Sequence, residues 1–245
     1  MRPATRAAIF RRLRDANPTP RTELRYRTPF ELLVAVMLSA HTTDRSVNAA
    51  TSVLFPVANT PAAIAALGVE GVKPYIRSVG LYNTKAAHLV ALARQIVELH
   101  GGEVPDDRAA LEALPGVGRK TASIILNIVF GHAEIAVDTH IFRVANRTGL
   151  APGKTPREVE DGLVAGTPLE FRKDAHHWLI LHGRYVCTAR SPKCPTCIIR
   201  DLCEYRHKTP APAQKPAGSV GKAIRRATRG GGATPRRRAA RSAGG

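Results

Sequence analysis

The chain has 245 residues, 44% of them hydrophobic, enough for one large core or two modest ones. Lys+Arg number 37 against 19 Asp+Glu, and residues 207–245 hold ten of those cations and no acid, so the first 206 residues still carry +8. No apolar run is long enough to span a bilayer and the N-terminus lacks the apolar segment of a secretory signal, which argues against a membrane or exported protein; the basic balance favours polyanionic partners, above all nucleic acid.

In chain order, Ala4 to Arg14 reads as an amphipathic helix with Ala8, Ile9 and Leu13 on one face. Thr-Pro pairs at 28–29, 60–61, 155–156 and 167–168 mark helix starts, with threonine as N-cap and proline at the first helical position. Glu31 and Glu158 complete capping boxes with Thr28 and Thr155. The helix from Pro29 is apolar nearly all round and belongs at the centre of a core. Short helices follow through Val47–Leu54 and Pro61–Leu67, and Asn83 is expected to cap a helix over Lys85–Leu99 that Gly101-Gly102 ends. Asp107 should cap Arg108–Leu114. Further helices are expected over Thr121–Phe130, Asp138–Thr148, Pro156–Val164 and Arg172–Val186. No alternating strand pattern stands out, so the expected fold class is all-α, about ten short helices. From 208 onward Pro, Ala, Gly, Lys and Arg dominate. That composition predicts a disordered basic tail over 208–245, able to meet phosphates through Arg225-Arg226 and Arg236-Arg237-Arg238 or simply to stay solvated.

The densest signal is LPGVGRKTA, residues 114–122. Gly116, Val117 and Gly118 form a turn in which the glycines allow positive φ and close backbone approach, and the next helix starts at once, so its free N–H groups can bind phosphate. Arg119 follows as a second DNA contact. Lys120 sits in the first turn of that helix, a place that favours the neutral amine a nucleophile needs, although alone it reads equally well as a phosphate contact. Eighteen residues later Asp138 ends an apolar run at a helix start, where an aspartate is often just an N-cap. The four cysteines, Cys187, Cys194, Cys197 and Cys203, fall in a C-x6-C-x2-C-x5-C pattern. Spacing alone leaves zinc, an iron–sulfur cluster and disulfides open.

LPGVGRKTA followed by VDTHIFRVANRTG, together with GLYNTKA, HHWLILHGRYVC and CPTCIIRDLCEY, resembles endonuclease III of the helix-hairpin-helix-Gly/Pro-Asp DNA glycosylase superfamily over about residues 5–207. The resemblance implies a bifunctional base-excision-repair enzyme acting on duplex DNA with oxidised pyrimidines or abasic sites. Lys120 would attack C1′, Asp138 would assist it, and β-elimination through a lysine imine would break the strand. It implies a [4Fe-4S] cluster on Cys187, Cys194, Cys197 and Cys203, and places Arg184, Arg190 and Lys193 around the cluster loop as DNA contacts. It also implies two helical domains: a barrel over 23–132 with the helix-hairpin-helix at about 108–127, and a cluster domain combining 1–22 with 133–207, the active-site cleft lying between them. Leu81 resembles the family's apolar wedge into the base stack. His41, in LSAHTTD, stands where relatives usually read glutamine and would fill the space of the flipped base. His140 is a candidate contact to sugar or phosphate. Asp44 lines the base pocket or, more simply, caps the helix from Arg45. A monomer working in the cytoplasm on nucleoid DNA is expected. The competing readings are an adenine glycosylase of the same superfamily, which lacks the hairpin lysine and carries a further domain, and a non-catalytic DNA-binding module.

Overall fold

A computed structural model describes residues 1–211, and the expectations for the tail beyond Ala211 lie outside the described residues. Among those residues there are ten α-helices and no strand. They are α1 (Pro3–Ala16), α2 (Pro29–Ser39), α3 (Asp44–Leu54), α4 (Pro61–Ile76), α5 (Tyr82–His100), α6 (Arg108–Ala113), α7 (Arg119–Ile128), α8 (Thr139–Thr148), α9 (Pro156–Gly166) and α10 (Leu169–Tyr185).

Threonine caps act where Thr-Pro pairs occur at 28, 60 and 155: each hydroxyl accepts from the backbone N–H three residues on. Each glutamate reaches back one residue further than a capping box requires: Glu31 accepts from Arg27 N at 2.6 Å and Glu158 from Lys154 N at 2.9 Å, not from the N-caps Thr28 and Thr155. The pair at 167–168 behaves otherwise. Thr167 closes α9, its N–H donating to Leu163 O at 2.8 Å, and its buried hydroxyl has no partner. Only Pro168 separates it from α10, so one residue cannot both end α9 and cap α10. Two other boundaries differ from expectation. The helix from Pro61 resumes after a break at Gly68 (φ 67°) and runs to Ile76. α5 starts at Tyr82 with Leu81, not Asn83, as its first flanking residue.

The apolar faces build two hydrophobic clusters. One contains α2 at its centre, with Leu32, Leu33 and Leu38 fully buried, wrapped by α3–α7. The other gathers Ile9, Phe10 and Leu13 of α1 with α8–α10. Phe10 stacks on Phe171 at 5.8 Å, and Trp178 Nε1 donates to Asn17 O at 2.8 Å, so the first helix joins the last third of the chain. α7 belongs to the first cluster and α8 to the second, which puts the segment from Lys120 to Asp138 across the junction.

Candidate active site and DNA-facing surface

The hairpin between α6 and α7 is pinned by two buried apolar residues, Leu114 and Val117, with Val117 N donating to Leu114 O at 3.0 Å. Gly116 adopts φ 78°, and a Cβ there would lie 3.0 Å from His88 Cβ and 3.2 Å from Met37 Sδ. The turn therefore needs glycine twice over, for its dihedral and for space. Gly118 is different: its backbone is extended and nothing lies within 4 Å of a Cβ. It is the N-cap of α7 and no side chain caps that helix, so the first amides of α7 stay free at an exposed end. Arg119 is not a free cation. It holds Glu160 of α9 through Nη2 at 2.8 Å and Nε at 3.2 Å, and Glu160 is buried, so the hairpin is strapped to the second cluster.

Lys120, at the start of α7, lines one cavity together with Asp138, Asp44, His176, His177 and Arg184. Asp138 is the N-cap of α8: its Oδ1 accepts from Ile141 N at 2.8 Å. Its second oxygen has no hydrogen-bond partner among the described residues, so capping and chemistry use different oxygens of one carboxylate. His176 is fully enclosed nearby, and its Nδ1 lies 3.0 Å from Ala136 O. A carbonyl only accepts, so Nδ1 carries the proton. Burial pushes the His176 imidazolium down to about 3, helped by its neighbour His177 and by the charge of Lys120, against the opposing pull of Asp138. A neutral histidine thus sits within the field of both candidate reactive groups. His177 has a buried Nδ1 with no partner. Neither histidine stands out in the sequence as a site residue; the signal that could have found them is a pair of adjacent histidines opening the apolar stretch Trp178–Leu181 of a helix whose first turns are charged.

A larger open cleft adjoins this cavity and shares Glu23, Asp44 and Arg184 with it; His41 and His140 also line it. Asp44 is not the cap of α3. Thr43 is, accepting from Ser46 N at 3.3 Å, and Asp44 one position on binds Arg184 at 2.5 Å. Arg184 also pairs with Glu23, which in turn accepts from the Tyr185 hydroxyl. The Tyr185 hydrogen bond first, and Arg184 after it, hold the Glu23 carboxyl below the usual carboxylate range despite partial burial. His140 Nδ1 lies 3.3 Å from Arg143 Nη2. His41 and Leu81 are the two non-glycine residues in the left-handed region among the described residues, at φ 56° and 58°. Leu81 is 67% exposed. Arg190 and Lys193 are exposed on the cysteine loop and line neither cavity.

The four cysteines are free thiols that line one small cavity between the end of α10 and the loop after it. Among the described residues no group of three His, Cys, Asp or Glu is arranged to hold a single metal ion. Four thiols spread around one cavity suit a polynuclear cluster better than tetrahedral zinc. Arg147 Nη1 lies 3.6 Å from Cys187 Sγ and His182 Nε2 lies 3.7 Å from Cys197 Sγ, donors of the kind that support cluster thiolates. Lys208 and Thr209, which composition assigns to the tail, are tied into this loop. Lys208 Nζ donates to Cys203 O at 2.6 Å, and Thr209 Oγ1 donates to Pro192 O at 2.6 Å.

Comparison with known proteins places this geometry. Residues 34–168 match the HhH-GPD superfamily of base excision DNA repair proteins. Endonuclease III of Escherichia coli K12 is 62% identical over 208 residues, covering 85% of this chain and 99% of that protein. The chain belongs to the endonuclease III family. Endonuclease III of Treponema pallidum is 56% identical over 196 residues, 80% of this chain and 93% of the relative. Among solved structures, a trapped endonuclease III–DNA covalent intermediate superposes with a TM-score of 0.78 at 40% identity, covering 83% of this chain and 96% of that one. A thermostable thymine-DNA glycosylase superposes with a TM-score of 0.75 at 26% identity, covering 82% and 96%. Residues 187–203 match the iron–sulfur binding domain of endonuclease III, with all four cysteines inside the match. In a member of the endonuclease III family that donor set implies a [4Fe-4S] cluster, and the single thiol-lined cavity fits it. No helix among the described residues is long and apolar enough to cross a membrane.

Proposed function

We propose that this bifunctional DNA glycosylase and abasic-site lyase of base excision repair removes oxidised pyrimidines with Lys120 as nucleophile and Asp138 as its partner. The neutral Lys120 amine attacks C1′ as the C1′–N bond breaks and the base leaves with the bonding electrons. Asp138 stabilises the positive charge that develops on the sugar and accepts the proton that the attacking amine sheds. Ring opening gives an iminium between Lys120 Nζ and C1′. Loss of a 2′ proton then sends electrons toward C3′, the C3′–O bond breaks, and the strand is cut 3′ to the site. The target base must leave the duplex for C1′ to be reached, and His41 and Leu81 are proposed to occupy the space it vacates. Phosphates would be held by the hairpin at Gly116, Val117 and Gly118, by His140, and by Arg119, Arg184, Arg190 and Lys193, the first two cations exchanging or sharing their present acids.

The observation that carries this reading is the shared cavity of Lys120, in the first turn of α7, and Asp138, the N-cap of α8, at the junction of two cores. The cluster held by Cys187, Cys194, Cys197 and Cys203 supplies a rigid anchor for the basic loop. The working unit is proposed to be a monomer acting on cytoplasmic DNA, with 23–132 and 1–22 plus 133–207 as its two domains. Borohydride trapping on duplexes with oxidised pyrimidines tests the chemistry. The native protein should give a covalent adduct, Lys120→Ala none, and Asp138→Asn a slowly formed one. Base release by the native protein without any adduct would mean that no lysine imine forms, and would overturn Lys120 as the nucleophile.

A further inference from the structure

Lys85 is the buried charged residue that this chemistry leaves without a role. It is 6% exposed on α5, has no carboxylate partner among the described residues, and places its ammonium in a cage of three oxygens. Nζ donates to Leu38 O at 2.8 Å, Ala40 O at 2.5 Å and Thr42 Oγ1 at 3.3 Å. The first two are carbonyls at the C-terminal end of α2, where a cation is favoured and acceptors lack helical partners. All three bracket His41, whose backbone is held at φ 56°, a conformation that L side chains disfavour. The same Thr42 hydroxyl accepts from Gly80 N at 3.2 Å, and a Cβ on Gly80 would lie 3.4 Å from His41 O. The Leu81 turn is therefore built directly onto the His41 turn, with Lys85 one helical turn beyond it, beneath both. Burial lowers the Lys85 pKa, and no acid compensates, so the site spends a desolvated charge on shape alone.

We infer that Lys85 is a positioning residue for lesion search: its ammonium locks the two left-handed turns that present His41 and Leu81, so both enter the duplex as one unit. The inference rests on the proposed gap-filling role of His41 and Leu81. The test uses a duplex with an uncleavable abasic analogue opposite 2-aminopurine, whose fluorescence rises when that base unstacks. Full-length protein with its cluster loaded is compared with His41→Ala plus Leu81→Ala, with Lys85→Met, and with all three changes together. We expect the His41/Leu81 double variant to lose at least threefold of the fluorescence rise at saturation. Lys85→Met should lose as much, and the triple variant no more than the double.

Thr42→Val, which removes the bridging hydroxyl, should follow Lys85→Met, and Thr42→Ser should restore the signal. Thr42→Val also provides the measurement should Lys85→Met fail to fold, as judged by its melting transition and cluster absorbance. A native signal in folded Lys85→Met or in Thr42→Val, beside a reduced one in the double variant, overturns the positioning role. So does a further loss in the triple variant, since that means Lys85 acts elsewhere. A native signal in the double variant instead overturns the gap-filling reading, and this inference falls with it.

Discussion

The two hairpin glycines should fail in different ways when each becomes alanine. Gly116→Ala asks a Cβ to sit at φ 78°, which costs about 1–2 kcal/mol, and crowds it against Met37 Sδ at 3.2 Å and His88 Cβ at 3.0 Å. His88 Cβ is fixed to the α5 backbone and Met37 is buried in the first core, so neither moves aside freely and roughly 1 kcal/mol of overpacking is added. The expected loss is about 2–3 kcal/mol, or on the order of 4–12 °C in melting temperature for a protein of this size. Gly118→Ala has φ −100° and open space around it. Alanine is a poorer N-cap than glycine but restricts the unfolded chain, and the two effects offset to within about 0.5 kcal/mol. Its methyl group does project at the free amides of α7, where a phosphate is proposed to sit. Binding to an abasic-site duplex should therefore weaken about tenfold, roughly 1.4 kcal/mol. Thermal melts followed by fluorescence anisotropy on the same samples decide the matter. A Gly116→Ala loss under 1 kcal/mol, or native DNA affinity in Gly118→Ala, would refute the division of labour argued for this turn.

The other expectations concern charge. Asp138→Asn keeps an oxygen for Ile141 N and should melt within about 0.5 kcal/mol of native, while Asp138→Ala loses the cap and about 1 kcal/mol. Both should cut the rate of strand cleavage on an abasic duplex by about 100-fold or more, so a parallel fall in rate and stability would return Asp138 to a purely structural role. His176 titrates near 3 when folded but near 6.5 when unfolded, so between those values the unfolded chain binds more protons and stability falls as pH falls. The slope contributed approaches about 1.4 kcal/mol per pH unit, and His176→Asn, which keeps an N–H donor, should flatten urea-derived stability between pH 6 and 4 relative to native. An unchanged slope would mean that His176 does not titrate as a buried neutral group. Finally, Lys193→Met should lower the salt dependence of DNA binding by about 0.9 in log–log slope, and Arg184→Met by much less, because Arg184 already has two carboxylate partners. Equal changes would show that those pairs open fully on DNA.

Much of the scaffold is local chemistry and so was readable. Thr28, Thr60 and Thr155 cap helices because hydroxyl, proline and spacing lie within four residues of each other. Gly101 ends α5 in the left-handed conformation for the same reason. Thr167 defeats this logic because the competing demand comes from the helix before it, and Leu81 defeats it because the turn it sits on is tied at Gly80 N to Thr42 Oγ1, 38 residues away in sequence. The partners of Arg119 and Arg184 are also non-local: Glu160 lies 41 residues on, and Asp44 lies 140 back. A basic residue near a DNA-binding motif reads as free from sequence, since nothing in the string announces the acid that will fold onto it. Buried polar residues escape in the same way. Lys85 and His176 look like surface residues until the packing encloses them.

Those acids say where attraction to DNA arises. The cavity is lined by Arg21, Lys120 and Arg184 and by Glu23, Asp44 and Asp138, so the candidate catalytic site has no surplus of positive charge despite the +8 of the first 206 residues. A reactive lysine gains from that balance, because a strongly positive pocket would trap phosphates on Lys120, and a strongly negative one would hold its amine protonated. Part of the surplus sits outside, on exposed Arg190, Lys193 and Arg200 of the cysteine loop, and free amides are offered at the uncapped end of α7. Long-range capture and chemistry are thereby separated in space. On the proposed reading, the duplex would be drawn to the rims by those cations and free amides, and the nucleotide entering the cavity would meet groups whose charges already answer one another. The cysteine site has its place in that division: a loop with little regular structure, held by four thiolates, Lys208 and Thr209, keeps its cations at fixed distance from a hairpin that belongs to the other core.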